Sequence, residues 1–392
     1  MDSPTPKQGV VLSSGGADGA YAVGVLKALL SGKSPGTGYL PLDPVAFVGT
    51  SIGALNSSFL VSHLDEGPAA VADGLIRLWL EELAENPRQL RNGAFRFRAN
   101  PLSLLDPRRL ALDPLRSVSE FAQDSAVLCR EWLMRLRDFA TSEAPLEQRA
   151  AGLLNFSSFV SSEPLLEIIR RNIDFAKIYS SKVALSIIAT DWHRGILETF
   201  TNQHLTVEDG PHLVRASAAI PGFFPPVRIG DRIWVDGAVL GYTKLSPAIR
   251  AGATVVHLIY VDPDLKAIPD EALDSTLETM YRMFVTGWAA RVNQGLEATA
   301  RINREIDALE KFVQQARLSP QDRDSLFQAV LGPVNVKVTV HRYHPRDDAF
   351  GLLGLLNLNR GRLEGLIERG FKDAVEHDCN HSKCILAAPA SQ

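Results

Sequence analysis

The sequence is poor in cysteine, in net charge and in long apolar runs, and each shortage excludes a class of protein. Its 392 residues include only Cys129, Cys379 and Cys384, too few for a disulfide framework, so we expect a reducing, cytoplasmic location. Lys and Arg number 41 against 45 Asp and Glu, and the resulting net charge of −4 argues against nucleic acid as the main partner.

Signals for secretion and membrane insertion are also missing. The apolar stretch from Gly9 to Leu30 is interrupted by Asp18 and has no basic segment before it, so no signal peptide is predicted. The longest charge-poor run, Val45 to Leu64, contains Gly, Ser, Thr and Asn residues that are costly against lipid. We therefore expect no transmembrane helix, although peripheral contact with a membrane stays open.

Two strand-turn-helix patterns follow each other near the N-terminus. An apolar run at Gln8–Ser13 leads into Ser14-Gly15-Gly16 and then into helical spacing. A second run at Val45–Val48 leads into Gly49-Thr50-Ser51-Ile52-Gly53 and another helix. Repeated units of this kind predict an α/β fold with a central, mostly parallel sheet between layers of helices.

Residues 8–392 are expected to form one domain with an insertion. Between 67 and 171 strand signals stop, which indicates a helical, cap-like insertion, and they resume from 183 to 260. The remaining segment, 266–392, is expected to hold a long helix at 271–318, a strand at 334–340, a last helix near 363–375 and a flexible tail at 385–392.

The Gly49–Gly53 segment has the spacing of a nucleophile elbow, a strand-to-helix turn that exposes a serine. Small residues at Gly49 and Gly53 permit the sharp turn, and the helix start beyond Ser51 favours developing negative charge. The Ser14–Gly19 turn is more ambiguous, because its amides could bind either a nucleotide phosphate or the oxyanion of an acyl transfer. No acidic residue follows at the spacing that a dinucleotide site favours.

A general base for Ser51 is not obvious among the nine histidines, none of which follows a late strand in a catalytic-looking loop. Asp236, within Trp234-Val235-Asp236-Gly237-Ala238, does follow a strand. A carboxylate can act as base where partial desolvation raises its pKa, and the alternative is an ordinary Asp-Gly turn.

Four segments, taken in order, resemble the patatin-like phospholipases: Leu12–Leu26, Gly49–Asn56, Ala216–Val227 and Asp236-Gly237-Ala238. The segment Ile367–Ala374 also resembles that family's closing helix. The resemblance implies a three-layer α/β/α fold and hydrolysis of lipid acyl esters by a Ser–Asp dyad, without metal or cofactor. It assigns Ser51 as nucleophile, Asp236 as base within the Asp236-Gly237-Ala238 motif, and Ser14, Gly15, Gly16 and Ala17 as the oxyanion hole.

Two residues depart from the family pattern. Ser14 stands where a glycine is usual, and would be strained if that position needs positive φ; Asp18 stands where an arginine or lysine is usual. On these grounds we expect Asp18 to oppose an oxyanion, so that Asp18→Arg or Asp18→Asn would raise kcat/KM, with slightly lower helix stability for the charge reversal. A catalytically weak lipid-binding or scaffold protein therefore stays open, as does hydrolysis of a non-phospholipid ester or thioester. Head group, ester position, regulator and oligomeric state are not determined.

Two further patterns in the sequence each have a simpler explanation than a binding site. Seven arginines between Arg88 and Arg116, interleaved with Phe95 and Phe97, could contact an anionic membrane or simply form a solvated face. The segment His377–Cys384 contains four candidate zinc ligands, including His381, but structural sites usually join two separated pairs. We therefore predict no metal site there and a mobile tail.

Overall fold

The computed structural model describes residues 6–85, 93–98, 114–143, 145, 149, 159–241, 243–261, 276–332, 336–345 and 354–387. The strands are β1 (Gln8–Leu12), β2 (Pro44–Thr50), β3 (Arg96–Phe97), β4 (Val160–Ser161), β5 (Ala184–Asp191), β6 (Ile196–Thr201), β7 (Val227–Ile229), β8 (Arg232–Asp236), β9 (Val255–Ile259) and β10 (Thr339–Tyr343). The α-helices are α1 (Ala20–Leu30), α2 (Ile52–His63), α3 (Pro68–Arg77), α4 (Pro114–Thr141), α5 (Glu163–Asn172), α6 (Phe175–Ser180), α7 (Gly210–Ser217), α8 (Ser246–Arg250), α9 (Thr276–Ala316), α10 (Pro320–Leu331) and α11 (Arg360–Val375). Within these ranges no helix is both long and apolar enough to cross a membrane.

A single large sheet organises the molecule. Its strands run in the order β10-β9-β1-β2-β5-β8-β7, and β6 also pairs with β5. The first five strands are parallel, whereas β6, β7 and β8 pair antiparallel. This confirms the predicted α/β fold with a mostly parallel central sheet.

Successive residues of the central strands enter two separate hydrophobic cores. In β1, Val10 and Leu12 join the core shared with α1, α2 and α11, whereas Val11 joins the core shared with α8 and α9. In β2, Phe47 likewise enters the first of these cores and Val48 the second. Because strand side chains point alternately to opposite faces, the sheet is covered by helices on both sides, as a three-layer α/β/α fold requires.

Two strands meet end to end along one edge of β5. The last residue of β2, Thr50, pairs with Ile188 in parallel register, and the next position of β5, Ala189, pairs with Asp236 at the end of β8. Since β6 occupies the opposite edge of β5, β2 and β8 approach each other from opposite directions. This register brings Ser51, one residue beyond the end of β2, close to Asp236, the last residue of β8.

The predicted helical insertion at 67–171 contains a feature that the sequence did not indicate. Strands β3 and β4 form a two-stranded antiparallel sheet, so the expectation that this segment has no strands was wrong. Arg96 and Arg98 both pair with Asp124 on α4, so these side chains are already engaged within the molecule. The other five arginine side chains of the Arg88–Arg116 set, including Arg108 and Arg109, lie outside the described residues.

The C-terminal part also departs from the sequence expectations at two points. The last strand is Thr339–Tyr343, and residues 336–338 of the predicted strand lie outside it; there the backbone of Val338 bonds to the Asn303 side chain of α9 at 3.0 and 2.8 Å. Ile385 forms an antiparallel bridge with Val340 of β10, and the Ala387 N–H reaches Thr339 Oγ1 at 3.1 Å. The flexible tail predicted from 385 is thus wrong for 385–387; the remainder, 388–392, lies outside the described residues.

Helices α1 and α11 are in contact at two glycines. A Cβ added at Gly24 would lie 1.9 Å from the Ile367 carbonyl oxygen, and one added at Gly370 would lie 2.0 Å from the Tyr21 carbonyl oxygen. At the same contact the Tyr21 hydroxyl donates to Asp373 Oδ2 at 3.0 Å. The backbones therefore approach more closely than any larger residue permits.

We predict that Gly370→Ala destabilises the protein, because its methyl group would overlap backbone and force the helices apart, at a cost of ~1–3 kcal/mol or more. Gly365→Ala is the matched control: it lies on the same helix with nothing within 4 Å of its added Cβ. That change should stabilise by ~0.5–1 kcal/mol through helix propensity. Denaturant unfolding of both variants measures the difference, and equal or reversed shifts would contradict the close helix contact.

Candidate active site

Ser51 lies at a strained turn between β2 and α2. Its backbone has φ 58° and ψ −126°, a conformation that L-residues rarely adopt. Strain of this kind costs of order 1–3 kcal/mol and persists only where the surrounding structure enforces it. Ser51 therefore lies on a sharp turn within the Gly49–Gly53 segment, between a strand and a helix.

The two glycines of the elbow explain how the turn is enforced. A Cβ on Gly49 would lie 2.4 Å from the Gly53 carbonyl oxygen, so β2 and the first turn of α2 are in backbone contact. A Cβ on Gly53 would lie 2.6 Å from the carbonyl oxygens of both Leu12 and Ser13. Any side chain at either position would push α2 away from the ends of β1 and β2.

A chain of two hydrogen bonds, which the sequence did not indicate, fixes the backbone of Ser51. The Ser51 N–H donates to Ser217 Oγ at 2.9 Å, and the Ser217 hydroxyl donates to the Ile188 carbonyl at 2.7 Å. Ser217 is fully buried at the end of α7. It is a positioning residue, because it couples the elbow to β5; only its place in the Ala216–Val227 motif drew attention to it.

Asp236 ends β8 and begins a 3-10 turn, Gly237–Val239. Its Oδ1 accepts the Ala238 N–H at 2.8 Å, and the Ala238 carbonyl accepts the Trp288 indole N–H at 2.9 Å. The other carboxylate oxygen, Oδ2, is buried and forms no hydrogen bond within the described structure. Burial raises the pKa of Asp236 to about 7, although contacts with the Ser51 hydroxyl and the Ala238 amide act to lower it.

The histidines lie elsewhere. Among the described residues, none of the nine is bonded to Ser51 or Asp236, and none lines the pocket beside them. His257, the one within a central strand, contacts Gln8 and Tyr343 instead. Of the ionisable groups described near Ser51, Asp236 has a pKa suited to accepting a proton near neutral pH.

The glycine-rich turn presents backbone donors beside Ser51. Gly16 and Ala17 line the same pocket as Ser51, and within the described structure the N–H groups of Gly15, Gly16 and Ala17 have no acceptor. Ser14 is buried and does not adopt positive φ, so the strain expected from its replacement of glycine is absent. Unused amides at a helix start suit a developing negative charge.

An apolar pocket opens onto Ser51 and the glycine-rich turn. Besides Gly16, Ala17, Ser51 and Ile52, its walls are Leu83, Ala94, Phe95, Leu165, Ala218, Ile220, Phe224, Leu355, Leu356 and Leu358. These wall residues come from the insertion, from the segment after α7 and from the segment before α11. A pocket with apolar walls and a few polar groups at one end suits a ligand that is mostly hydrocarbon.

A comparison with known protein families assigns this chain to a family. A model of the patatin-like phospholipase family matches residues 10–249, a span that includes Ser51, Asp236 and the glycine-rich turn. The chain belongs to the patatin-like phospholipase family. Its membership supports hydrolysis of lipid acyl esters as the general activity.

Other comparisons add less about this patatin-like chain. The solved structure of VipD from Legionella pneumophila is similar at 16% identity, covering 97% of this chain and 68% of that one. Its TM-score of 0.38 is too low to support a conclusion about substrate. No curated protein gave a significant match.

Asp18, the residue least typical of a patatin-like protein, is paired rather than isolated. It is buried and forms an ion pair with Arg362 at the start of α11. Burial raises the pKa of Asp18 to about 6, although Arg362 acts to lower it. The Arg362 side chain also bonds to the Asn357 carbonyl at 3.2 Å, linking the glycine-rich turn to the pocket wall. The premise of an uncompensated carboxylate beside the site is thus wrong.

This pairing predicts a large loss of stability for Asp18→Arg. Two guanidinium groups would then face each other in a buried position, and breaking a buried pair costs roughly 3–5 kcal/mol. Asp18→Asn keeps an acceptor for Arg362 and should cost less, roughly 1–3 kcal/mol. Thermal unfolding tests this ranking. Equal stability of the two variants, or a gain for Asp18→Arg, would mean that the ion pair does not form.

Proposed function

We propose that the protein hydrolyses carboxylic ester bonds of lipids, of phospholipase A or lysophospholipase type, with Ser51 as nucleophile and Asp236 as general base. The observation that carries the proposal is the meeting of three features at one end of an apolar pocket. These are a serine on a strained elbow, a buried carboxylate in contact with it, and unused amides of the glycine-rich turn.

In the first step, the Asp236 carboxylate takes the proton of the Ser51 hydroxyl while Oγ attacks the ester carbonyl carbon. The carbonyl oxygen becomes an oxyanion within reach of the Gly16 and Ala17 amides, which cost no reorganisation because they are already oriented. Collapse of the intermediate breaks the bond to the alcohol, which leaves with the proton from Asp236. The acyl group remains on Ser51.

The second step reverses these roles with water as the nucleophile. Asp236 takes a proton from water, the hydroxide adds to the acyl carbonyl, and Ser51 leaves with the proton, releasing the fatty acid. The apolar pocket would hold the acyl chain during both steps. Transient contact with a membrane surface fits a substrate of this kind, but Arg96 and Arg98 are engaged with Asp124 and are poor candidates for it.

The reactivity of Ser51 gives a first test. A fluorophosphonate probe should label the wild-type protein at Ser51, and Ser51→Ala should lose both labelling and ester hydrolysis by about 10³-fold or more. Asp236→Asn should lose nearly as much, and the double variant little more, because the two residues act as one unit. Fatty-acid release from mixed phospholipid vesicles, followed by mass spectrometry, would identify the substrate.

Ser58→Ala is the matched control, because Ser58 is a buried serine on α2 whose hydroxyl has no partner in the described structure. It should keep wild-type labelling and turnover. A folded wild-type protein that binds lipid but neither reacts with the probe nor releases fatty acid would favour the lipid-binding alternative. Turnover of soluble esters or thioesters, without turnover of lipids, would change the proposed substrate class but not the proposed Ser51–Asp236 dyad.

The pH dependence gives a second test. Because Asp236 must be unprotonated to act as base and burial raises its pKa to about 7, kcat/KM should fall about tenfold per pH unit below about pH 7 and level off above it. A carboxyl group also shows little change of apparent pKa with temperature, whereas an imidazole shows a large one. Rates that stay constant from about pH 5 upward, or an inflection that moves strongly with temperature, would contradict the assignment of Asp236.

A further inference from the structure

A cluster of histidine and cysteine side chains lies far from the proposed catalytic residues, at the β10 edge of the sheet. His341, His377, Cys379 and Cys384 each offer one ligand atom, and these four atoms all lie within 4.8 Å of one another. Three strand positions separate β10 from β2, which places the cluster about 14 Å to the side of the Ser51 elbow at the usual strand spacing.

Three parts of the chain build the cluster. His341 is the middle residue of β10, and His377 follows the end of α11. Cys379 and Cys384 flank a tight turn in which the Cys384 N–H donates to the Cys379 carbonyl at 2.9 Å. Lys383 adopts φ 52° at this turn, and Ile385 then bridges to Val340 beside His341. The C-terminal end of the turn is therefore held against the sheet.

The distances within the cluster match the edges of a metal tetrahedron. Cys379 Sγ lies 3.3 Å from His341 Nδ1 and 3.6 Å from His377 Nε2, and Cys384 Sγ lies 3.4 Å from the same His377 nitrogen. Zinc bonds of about 2.3 Å to sulfur and 2.0–2.1 Å to nitrogen at tetrahedral angles give an S–N edge of ~3.5 Å. The remaining pairs of ligand atoms lie within 4.8 Å of one another, so a bound ion would draw the most distant of them together by roughly 1–1.5 Å at most.

Hydrogen bonding alone leaves this arrangement poorly satisfied. A thiol is a weak hydrogen-bond donor. One nitrogen of His377 faces two sulfur atoms, although its single lone pair can accept a hydrogen bond from only one of them. A cation would satisfy both sulfurs and both nitrogens at once. The Arg342 backbone N–H also points at Cys384 Sγ at 3.3 Å, an outer contact that stabilises a thiolate ligand.

We propose that His341, His377, Cys379 and Cys384 bind one zinc ion as a closed Cys₂His₂ site. Two thiolates and two imidazoles are the ligand set and coordination number of structural zinc, and Cys379-x₄-Cys384 falls within the spacing such sites use. Four protein ligands leave no open position for substrate. The ion would fix the end of α11 to β10 and so stabilise the C-terminal part of the fold.

The sequence analysis did not identify this cluster, for a definite reason. It considered His381, which lies in the turn but outside the cluster, and could not include His341, which comes from a strand 38 positions before Cys379. Tertiary contact thus joins one ligand from β10 to three from the 377–384 segment.

The test uses the full chain without a polyhistidine tag, purified under reducing conditions and without chelator. Elemental mass spectrometry should find about one zinc per chain in the wild type and less than about a tenth of that in Cys379→Ser/Cys384→Ser. Two matched controls should keep the metal: Cys129→Ser removes the exposed third cysteine, and His381→Gln changes the same turn outside the cluster.

A second measurement needs only the wild-type chain, in case the double variant does not fold. Cobalt should replace zinc and give the visible bands of a tetrahedral ion together with thiolate charge transfer, and zinc removal should lower the unfolding temperature while fluorophosphonate labelling of folded protein persists. A reduced wild-type protein that contains no zinc and takes up no cobalt would overturn the proposal. So would a Cys379–Cys384 disulfide in freshly purified protein, zinc retained by the double variant, or another metal in place of zinc.

Discussion

Backbone contact between the end of β1, the end of β2 and the first turn of α2 is the constraint on which the site depends. Gly49 and Gly53 leave only enough room for hydrogen at this junction, so the chain must turn at Ser51 with positive φ. The resulting strain is held by parallel pairing on one side and by the Ser51–Ser217–Ile188 hydrogen bonds on the other. The serine is therefore fixed before any substrate arrives.

Burial of charge is the second theme of the site. Asp236 is buried, which makes its ionised form costly and raises its pKa to about 7. Asp18, buried nearby, is compensated by Arg362 instead. Burial thus raises the pKa of both carboxyl groups; Arg362 acts against the shift at Asp18, whereas the Ser51 hydroxyl and the Ala238 amide act against it at Asp236.

The C-terminal segment completes a site whose polar residues all lie before residue 240. Helix α11 packs against α1 through Gly24 and Gly370, and this close contact brings Arg362 to Asp18. The preceding residues, Leu355 to Leu358, close the pocket wall. Stabilising the far end of α11 against β10, as the histidine–cysteine cluster would do, therefore supports the half of the pocket most remote in sequence.

Local sequence was sufficient for the parts of the site that are local. The spacing of Gly49, Ser51 and Gly53 after an apolar strand determined the elbow, and the glycines after β1 determined a turn with free amides, because both depend on backbone geometry over a few residues. Only the tertiary structure decided which distant residues meet. Asp236 reaches Ser51 through the register of β2 and β8 on β5, Arg362 reaches Asp18 from 344 positions away, and His341 joins the cysteine turn through strand β10. Strand register and helix packing set these contacts, and neither is encoded in the periodicity of a single segment.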